Sequence, residues 1–475
     1  MPYKKTRNSY ILYIPSSVDI DKLLTAKLPT FPFKRDKFVY MIHLVNYVSA
    51  IKKDEESEFT TLYSVLLKEK FGNDYPRYLD YLISSDIIVR NNQYSTIDHY
   101  SKSYKLSDQH HKSKLMEVEV TDYITITSLK TFTNLESKGF IPILPESNDV
   151  KVEIFEKWFN DKLTIDSVGA EKYLSTLRDE EVIEYPIAYE AYMSNQKDKN
   201  LKKRFEKVKD PYRAYARRLI PVLKVKNKQF ELTIDRTAGR LHTPLTQLKK
   251  ELRQFLRYDN KKLVSIDIKN SQPYLSTILF NNEAFNKNKM GEKIKMYNNI
   301  DYNQSPINLY YDSENKLPED VEKYIKQVVS GKFYEEFSEL LIEDGLLPDG
   351  ITDSRKYAKT VAFRTLFSPN SHKNIVKEIQ LFAKLYPKVY ENFAFVKQGR
   401  DKYNTLACLL QNIEAELILK TICEDISEQL PYAPIFTIHD SIVTTVEHHE
   451  KVKDIMYKRL EEKIGYPPQL SLEFW

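Results

Sequence analysis

The stretch PYAPIFTIHDSIVTT, residues 431–445, sets the tightest limit on what this chain can fold into. Apolar and β-branched residues flank His439-Asp440 on both sides, so the spacing predicts a hairpin with this pair at its apex. A second run, KKLVSIDIKNSQPYL, behaves similarly. Leu263 to Ile266 reads as a buried strand that delivers Asp267 at its end, and Ser271-Gln272-Pro273 opens a new element. An acid at the tip of an apolar strand is costly unless it is paired or binds a cation. Two such acids, on strands from distant parts of the chain, suit a magnesium site of hard oxygen ligands, and in-line phosphoryl transfer is the chemistry that needs one. The alternative for Asp440 is a plain turn aspartate.

Between the two acids lies TDSRKYAKTVAFRTLFSPN, where Arg355, Lys359, Phe363 and Phe367 are spaced four apart and share one helical stripe. Ala358, Val361, Ala362 and Leu366 supply the packing around it. Two cations followed by two aromatics suit a triphosphate at one end and a stacked base and sugar at the other. An amphipathic helix with snorkelling Arg and Lys accounts for the same pattern. Upstream, DRTAGRLHT has Gly239 at a tight turn beside Arg240. Downstream, LACLLQNIEAELILKTICEDI is an apolar helix presenting Gln411 and Glu414 shortly before the His-Asp hairpin.

These four segments, in this order, resemble the palm and fingers of family A DNA polymerases and of the related phage-type single-subunit RNA polymerases. TAGRLHT is similar to the TGRL-type motif near the primer-template minor groove, with an extra Ala238. DIKNSQPYL is similar to motif A, with Asp267 as metal ligand and Gln272 where family A has Glu. RKYAKTVAFRTLFS matches the fingers O-helix pattern at Arg355, Lys359 and Phe363. IHDS is similar to motif C, with Asp440 as the second ligand and His439 near the primer terminus. Gln411 falls where the family places a template-strand or primer-terminus glutamine. The resemblance covers roughly residues 230 to 447.

What the resemblance implies is an α+β right-hand polymerase: a palm with an antiparallel sheet, helical fingers and a helical thumb. Its cofactors would be two Mg²⁺ ions, with Mn²⁺ able to substitute, on Asp267, Asp440 and the backbone carbonyl of Ile268. Its partners would be nucleoside triphosphates and a primer-template of DNA, with RNA as the alternative template. Three departures bear on this. Phe367 replaces the family's Tyr, Ser368 its Gly, and Gln272 the Glu that excludes a ribose 2′-OH; the expected outcome is a weakened preference for dNTPs. Motif C reads His-Asp-Ser, as in the RNA polymerases. A single-subunit RNA polymerase, a template-independent terminal transferase and a non-catalytic DNA-binding replication protein therefore stay open beside DNA-directed DNA synthesis.

Ahead of the palm, residues 1–150 form an N-terminal accessory domain. Within it, 60–108 reads as helix, turn, helix and hairpin, with Ile87-Ile88-Val89, Tyr94 and Tyr104-Lys105-Leu106 as a small β-wing; a winged-helix module and a generic α+β packing domain fit equally. Residues 151–230 read as a basic helical thumb. Lys197 to Lys228 holds thirteen Lys/Arg against three acids, with Phe205, Tyr212 and Tyr215 interleaved, which suits a surface tracking a phosphate backbone; Lys202, Lys203 and Arg204 are its candidate contacts. A solvated helix face is the competing explanation. Palm and fingers occupy 231–475, the fingers about 280–375. Too little chain precedes the palm for a proofreading exonuclease, and no acidic set of that kind is found. A net charge of only +5 means that an anionic partner must be met by a local patch. Cys408 and Cys423 show no zinc or disulfide spacing, and the N-terminal stretch has no signal-like apolar run, so a cytoplasmic setting without membrane association is expected, with phage or mobile-element origin.

Overall fold

The computed structural model describes residues 9–51, 57–91, 102–130, 150–235, 238–298, 316–348, 350–399 and 402–475. Tyr94 of the expected wing and parts of the expected N-terminal domain and fingers lie outside them. The chain divides into two compact units, Met1–Lys138 with Ile165–Gln229 and Leu248–Phe255, and Gly139–Thr164 with Phe230–Gln247 and Leu256–Trp475. This division differs from the boundaries expected at 150 and 230: the basic helices belong to the first unit and do not stand as a separate body.

In the first unit, β1 (Tyr10–Pro15) pairs antiparallel with a strand near residue 120, and α1 (Arg35–Ile51) leads into β2 (Thr60–Thr61), α2 (Ser64–Phe71), α3 (Tyr75–Ser84), β3 (Ile88–Asn91) and β4 (Ser103–Leu106). The partner of β1 is β5 (Leu115–Val120), and β2, β4 and β3 form a three-stranded antiparallel sheet in that order. Phe38 sits at the centre of the core, its ring 4.7 Å from Tyr78 and 4.9 Å from Tyr81. Three helices follow: α4 (Ser167–Ser194), α5 (Lys199–Val208) and α6 (Pro211–Lys226), each capped at its N-terminus by an aspartate, Asp166, Asp198 and Asp210. The α6 helix buries Leu219, Ile220, Val222 and Leu223, and that apolar stripe needs a partner. Arg213 Nε donates to the Ser49 carbonyl on α1, and Gln229 Nε2 donates to the Ile11 carbonyl at 2.6 Å, which anchors α6 to the N-terminal core. Arg218 clasps Glu181 of α4 through two hydrogen bonds of 2.8 and 2.7 Å, both side chains almost fully buried.

The second unit is built around a four-stranded antiparallel sheet. In chain order its site-forming elements are β6 (Thr233–Ile234), β7 (Leu241–His242), β8 (Leu263–Ile268), α7 (Ser271–Ser276), α8 (Phe333–Glu343), α9 (Ser354–Phe367), α10 (Thr405–Ala415), β9 (Phe436–Ile438), β10 (Ser441–Thr445), α11 (His449–Ile464) and β11 (Leu470–Phe474). The sheet order is β9-β10-β8-β11. As the inner strand β8 is covered on both faces, its residues are buried continuously from Leu263 to Ile266 and do not alternate. Val452, Met456, Leu460 and Ile464 recur on one face of α11 and join Ile266 and Ile442 in one core. The chain is thus mixed α+β with small antiparallel sheets. No helix among the described residues is long and apolar enough to cross a membrane. Cys408 and Cys423 are buried free thiols.

Candidate active site

The acids meet at one end of the inner strands. Ile438 pairs with Ser441 across the hairpin, leaving His439 and Asp440 as a two-residue loop, with His439 in the left-handed region at φ 55°. Asp267 of β8 is the register partner of Ser441 on one side and Ser471 on the other. Asp440 precedes Ser441, so the two aspartate Cα atoms lie no more than roughly 9 Å apart. Both neighbours of Asp267 across the ladder are small serines, and Asp267 is less covered than the strand residues leading to it.

A polar chain centred on buried Glu414 joins three remote segments. Asp235 organises the β6–β7 turn by accepting from the amides of Ala238 (2.6 Å) and Arg240 (3.2 Å) and contacting His242 Nε2 at 3.0 Å, while Gly239 supplies the required φ of 69°. The turn presents Arg240, whose Nε and Nη2 donate to Glu414 Oε1 of α10 at 3.0 and 2.6 Å. Glu414 Oε2 in turn accepts from Gln272 Nε2 of α7 at 2.6 Å. Glu414 is 2% exposed, and burial, helped by the nearby charge of Asp440, pushes its carboxyl up to about 7 against the opposing pull of Arg240 and Gln272. The other face of this chain is unsatisfied: Gln272 Oε1 and both polar atoms of the Asn270 amide are buried without partners.

The α9 helix starts at an Asp353 cap, which accepts from Lys356 N at 2.9 Å, and carries the expected stripe. Lys359 Nζ sits 5.4 Å from the Phe363 ring, and Phe363 packs 5.5 Å from Phe367. Arg355 is held by α8: its Nε donates to Glu335 Oε1 at 2.6 Å, and its guanidinium lies 5.6 Å from the Tyr334 ring. The buried Tyr334 phenol is pushed well above the ordinary range by desolvation, with Arg355 lowering it and Asp440 raising it, so one ring feels both groups. The C-terminal end of α9 is closed by Lys397, a buried amine that donates to the carbonyls of Thr365 (2.7 Å) and Ser368 (3.2 Å).

Of the expected site residues, Asp267, Ile268, Asp440, His439, Gln272, Gly239, Arg240, Gln411, Arg355, Lys359, Phe363 and Phe367 all fall in the second unit. Gln411 is partly buried, one turn before Glu414 on α10. Two of these side chains are less available than expected. Arg240 is paired to Glu414, because an unpaired carboxylate at that depth would be costly, and Arg355 is paired to Glu335. Lys202, Lys203 and Arg204 lie on α5 of the first unit, and Arg204 Nε donates to Glu184 at 2.6 Å. Together with Arg218 on Glu181 and Lys226 on Glu117 (2.8 Å), this shows that part of the basic stretch is structural pairing and not a free basic face. Tyr334, Glu335 and Asn270 escaped the sequence reading. An aromatic-acid pair one helix away from a cation stripe was the available signal for the first two.

The donor set fits a hard divalent cation with modest protein ligation: two carboxylates and a carbonyl, with no cluster of three or more His, Cys, Asp or Glu suited to a metal among the described residues. Neither a protein-family model nor a curated protein matches the sequence. Among solved structures, the chain is similar to the POL domain of Pol1 from M. smegmatis, in a complex with DNA primer-template and dNTP, with a TM-score of 0.37 and 9% identity over 69% of each chain. A likeness of that size assigns this chain neither a fold family nor a role.

Proposed function

We propose that the second unit is the catalytic part of a template-dependent nucleotidyltransferase, in the first instance a family A-like DNA-directed DNA polymerase. The observation that carries the reading is the convergence of the two strand-end acids: Asp267 is the register partner of Ser441, the residue that Asp440 directly precedes at the hairpin apex. Asp267, Asp440 and the Ile268 carbonyl would hold Mg²⁺, or Mn²⁺ in its place; when bound, such ions supply electrostatic stabilisation of the charge that develops in phosphoryl transfer.

The chain's own groups do the rest. Lys359, exposed and without an ion-pair partner among the described residues, meets the triphosphate; Arg355 joins it by exchanging Glu335 for phosphate oxygens. Phe363 and Phe367 offer faces to base and sugar. Gln272, fixed through its amide nitrogen by Glu414, keeps its Oε1 and the neighbouring Asn270 amide for the sugar side of the nucleotide. Gly239, Arg240, Gln411 and His439 face primer and template in this reading, and Lys202, Lys203 and Arg204 the nucleic-acid backbone. In the first unit, the order α1, β2, α2, α3, β3, β4 with sheet order β2-β4-β3 supports a winged-helix module, although Arg77 and Asp80 on the exposed side of α3 give it no basic face.

The test is extension of a labelled primer on a DNA template with dNTPs and Mg²⁺ or Mn²⁺, run in parallel with rNTPs and with unprimed and single-stranded substrates. Asp267→Asn and Asp440→Asn should each lower extension by at least about a hundredfold, with the fold retained by circular dichroism. Wild-type rates in either variant would refute the site. Incorporation of rNTPs alone would replace the assignment by RNA synthesis.

A further inference from the structure

The first unit contains a groove of about 420 Å³ bounded by α5, α6 and the segment 105–112, a size suited to a small organic ligand. Its walls carry charges of both signs, but the acids are already matched. Lys105 holds Glu58 at 2.9 Å and Asp108 at 3.4 Å, His111 holds Asp210 at 2.9 Å, and Glu206 has Lys202 at 3.6 Å. Three cations are not matched. The side chains of Lys112, Lys207 and Arg217 make no hydrogen bond or ion pair among the described residues, and Arg217 Nε is buried with no acceptor. A buried guanidinium donor without a partner is unfavourable unless a ligand supplies one.

The same groove is lined by aromatic side chains. Tyr185, Phe205 and Tyr212 form part of its wall. Beyond it the row continues, with Phe205 stacked on Tyr192 at 5.3 Å and an interplanar angle of 5°, and packed 5.6 Å from Tyr189. Tyr185 and Tyr189 keep 37% and 42% of their surface exposed. Tyr185 and Tyr189 stack on each other at 6.2 Å yet stay partly exposed, and such aromatic surface beside uncompensated cations matches a base with its phosphate, while the extension of the row past the groove matches successive bases rather than one.

We propose that this groove binds unpaired nucleotides of a single-stranded nucleic acid, with phosphates on Arg217, Lys207 and Lys112 and bases on Tyr185 and the aromatic row behind it. The site stands apart from the reading of the second unit.

Fluorescence anisotropy of a labelled oligothymidylate of about 12 nucleotides, measured on the full chain, tests it. Tyr185→Ala should weaken binding about fivefold or more, and Lys207→Gln should lower the slope of log K against log salt by roughly one phosphate contact. Arg217→Gln should act in the same direction, while Lys22→Gln at an exposed position elsewhere should leave binding unchanged. Because Tyr185 and Lys207 are at the surface, those two variants carry the test even if Arg217→Gln fails to fold. Unchanged affinity and slope in both would overturn the proposal. So would displacement of the strand by equimolar dTMP, which would make the ligand a free nucleotide, or equal competition by blunt duplex. A chain that extends no primer yet binds the strand through these residues would uphold the groove and refute only the polymerase.

Discussion

Replacing Glu414 by Gln isolates the energetic role of the buried Arg240–Glu414–Gln272 chain. The amide keeps the shape and can still accept from Gln272, but it carries no charge. Burial raises the Glu414 carboxyl from its ordinary 4.5 to about 7, so the folded protein retains a proton that the unfolded chain releases. Stability contributed by this group is therefore full below the unfolded value and is lost as pH rises through the folded one. Integrating between pH 5 and pH 8, wild type should lose about 2.5 kcal/mol relative to Glu414→Gln. The assay is urea unfolding followed by tryptophan fluorescence in metal-free buffer at both pH values. Trp158 and Trp475, the two tryptophans of the chain, both lie in the second unit, so the signal reports the unit that contains Glu414. Taking wild type minus variant cancels the other titrating groups. A difference that is independent of pH, or one that favours wild type at pH 8, would mean that Arg240 outweighs burial and would refute the reasoning.

Other expected outcomes concern catalysis. Lys359→Ala should raise the apparent KM for nucleotide and lower kcat, together about tenfold or more in kcat/KM, because the cation contacts a group whose charge grows during transfer; steady-state kinetics showing neither change would remove α9 from the nucleotide site. Gln272→Ala should relax selection against rNTPs, whereas Phe367→Tyr should sharpen it by about fivefold, the value of one orienting hydrogen bond. Incorporation ratios from paired dNTP and rNTP assays decide this, and a ratio unmoved by both substitutions would take the sugar away from this pair of side chains.

Much of the local structure that carries the candidate site was legible because its signals are local. The β-branched runs around Asp440 and before Asp267 encode strands through the alternation and burial of chain neighbours, and a two-residue apex between such runs admits little except a hairpin. Spacing by four put Arg355, Lys359, Phe363 and Phe367 on one stripe for the same reason. The basic stretch misled in part, since composition counts cations but cannot tell which are paired: Arg204, Arg218 and Lys226 meet Glu184, Glu181 and Glu117 only once the helices pack.

By itself the sequence determined which segments become strands and helices, where the two aspartates fall on them, and which side chains share the face of α9. Tertiary structure alone decided that Arg240 meets Glu414 across 174 positions and Glu414 meets Gln272 across 142, that Arg355 packs on the Tyr334 ring, and that the basic helices join the N-terminal core. The physical reason is range. Backbone periodicity is fixed by neighbours within a few residues, whereas desolvation and ion pairing depend on which distant surfaces exclude water together, and that is settled only when the chain packs.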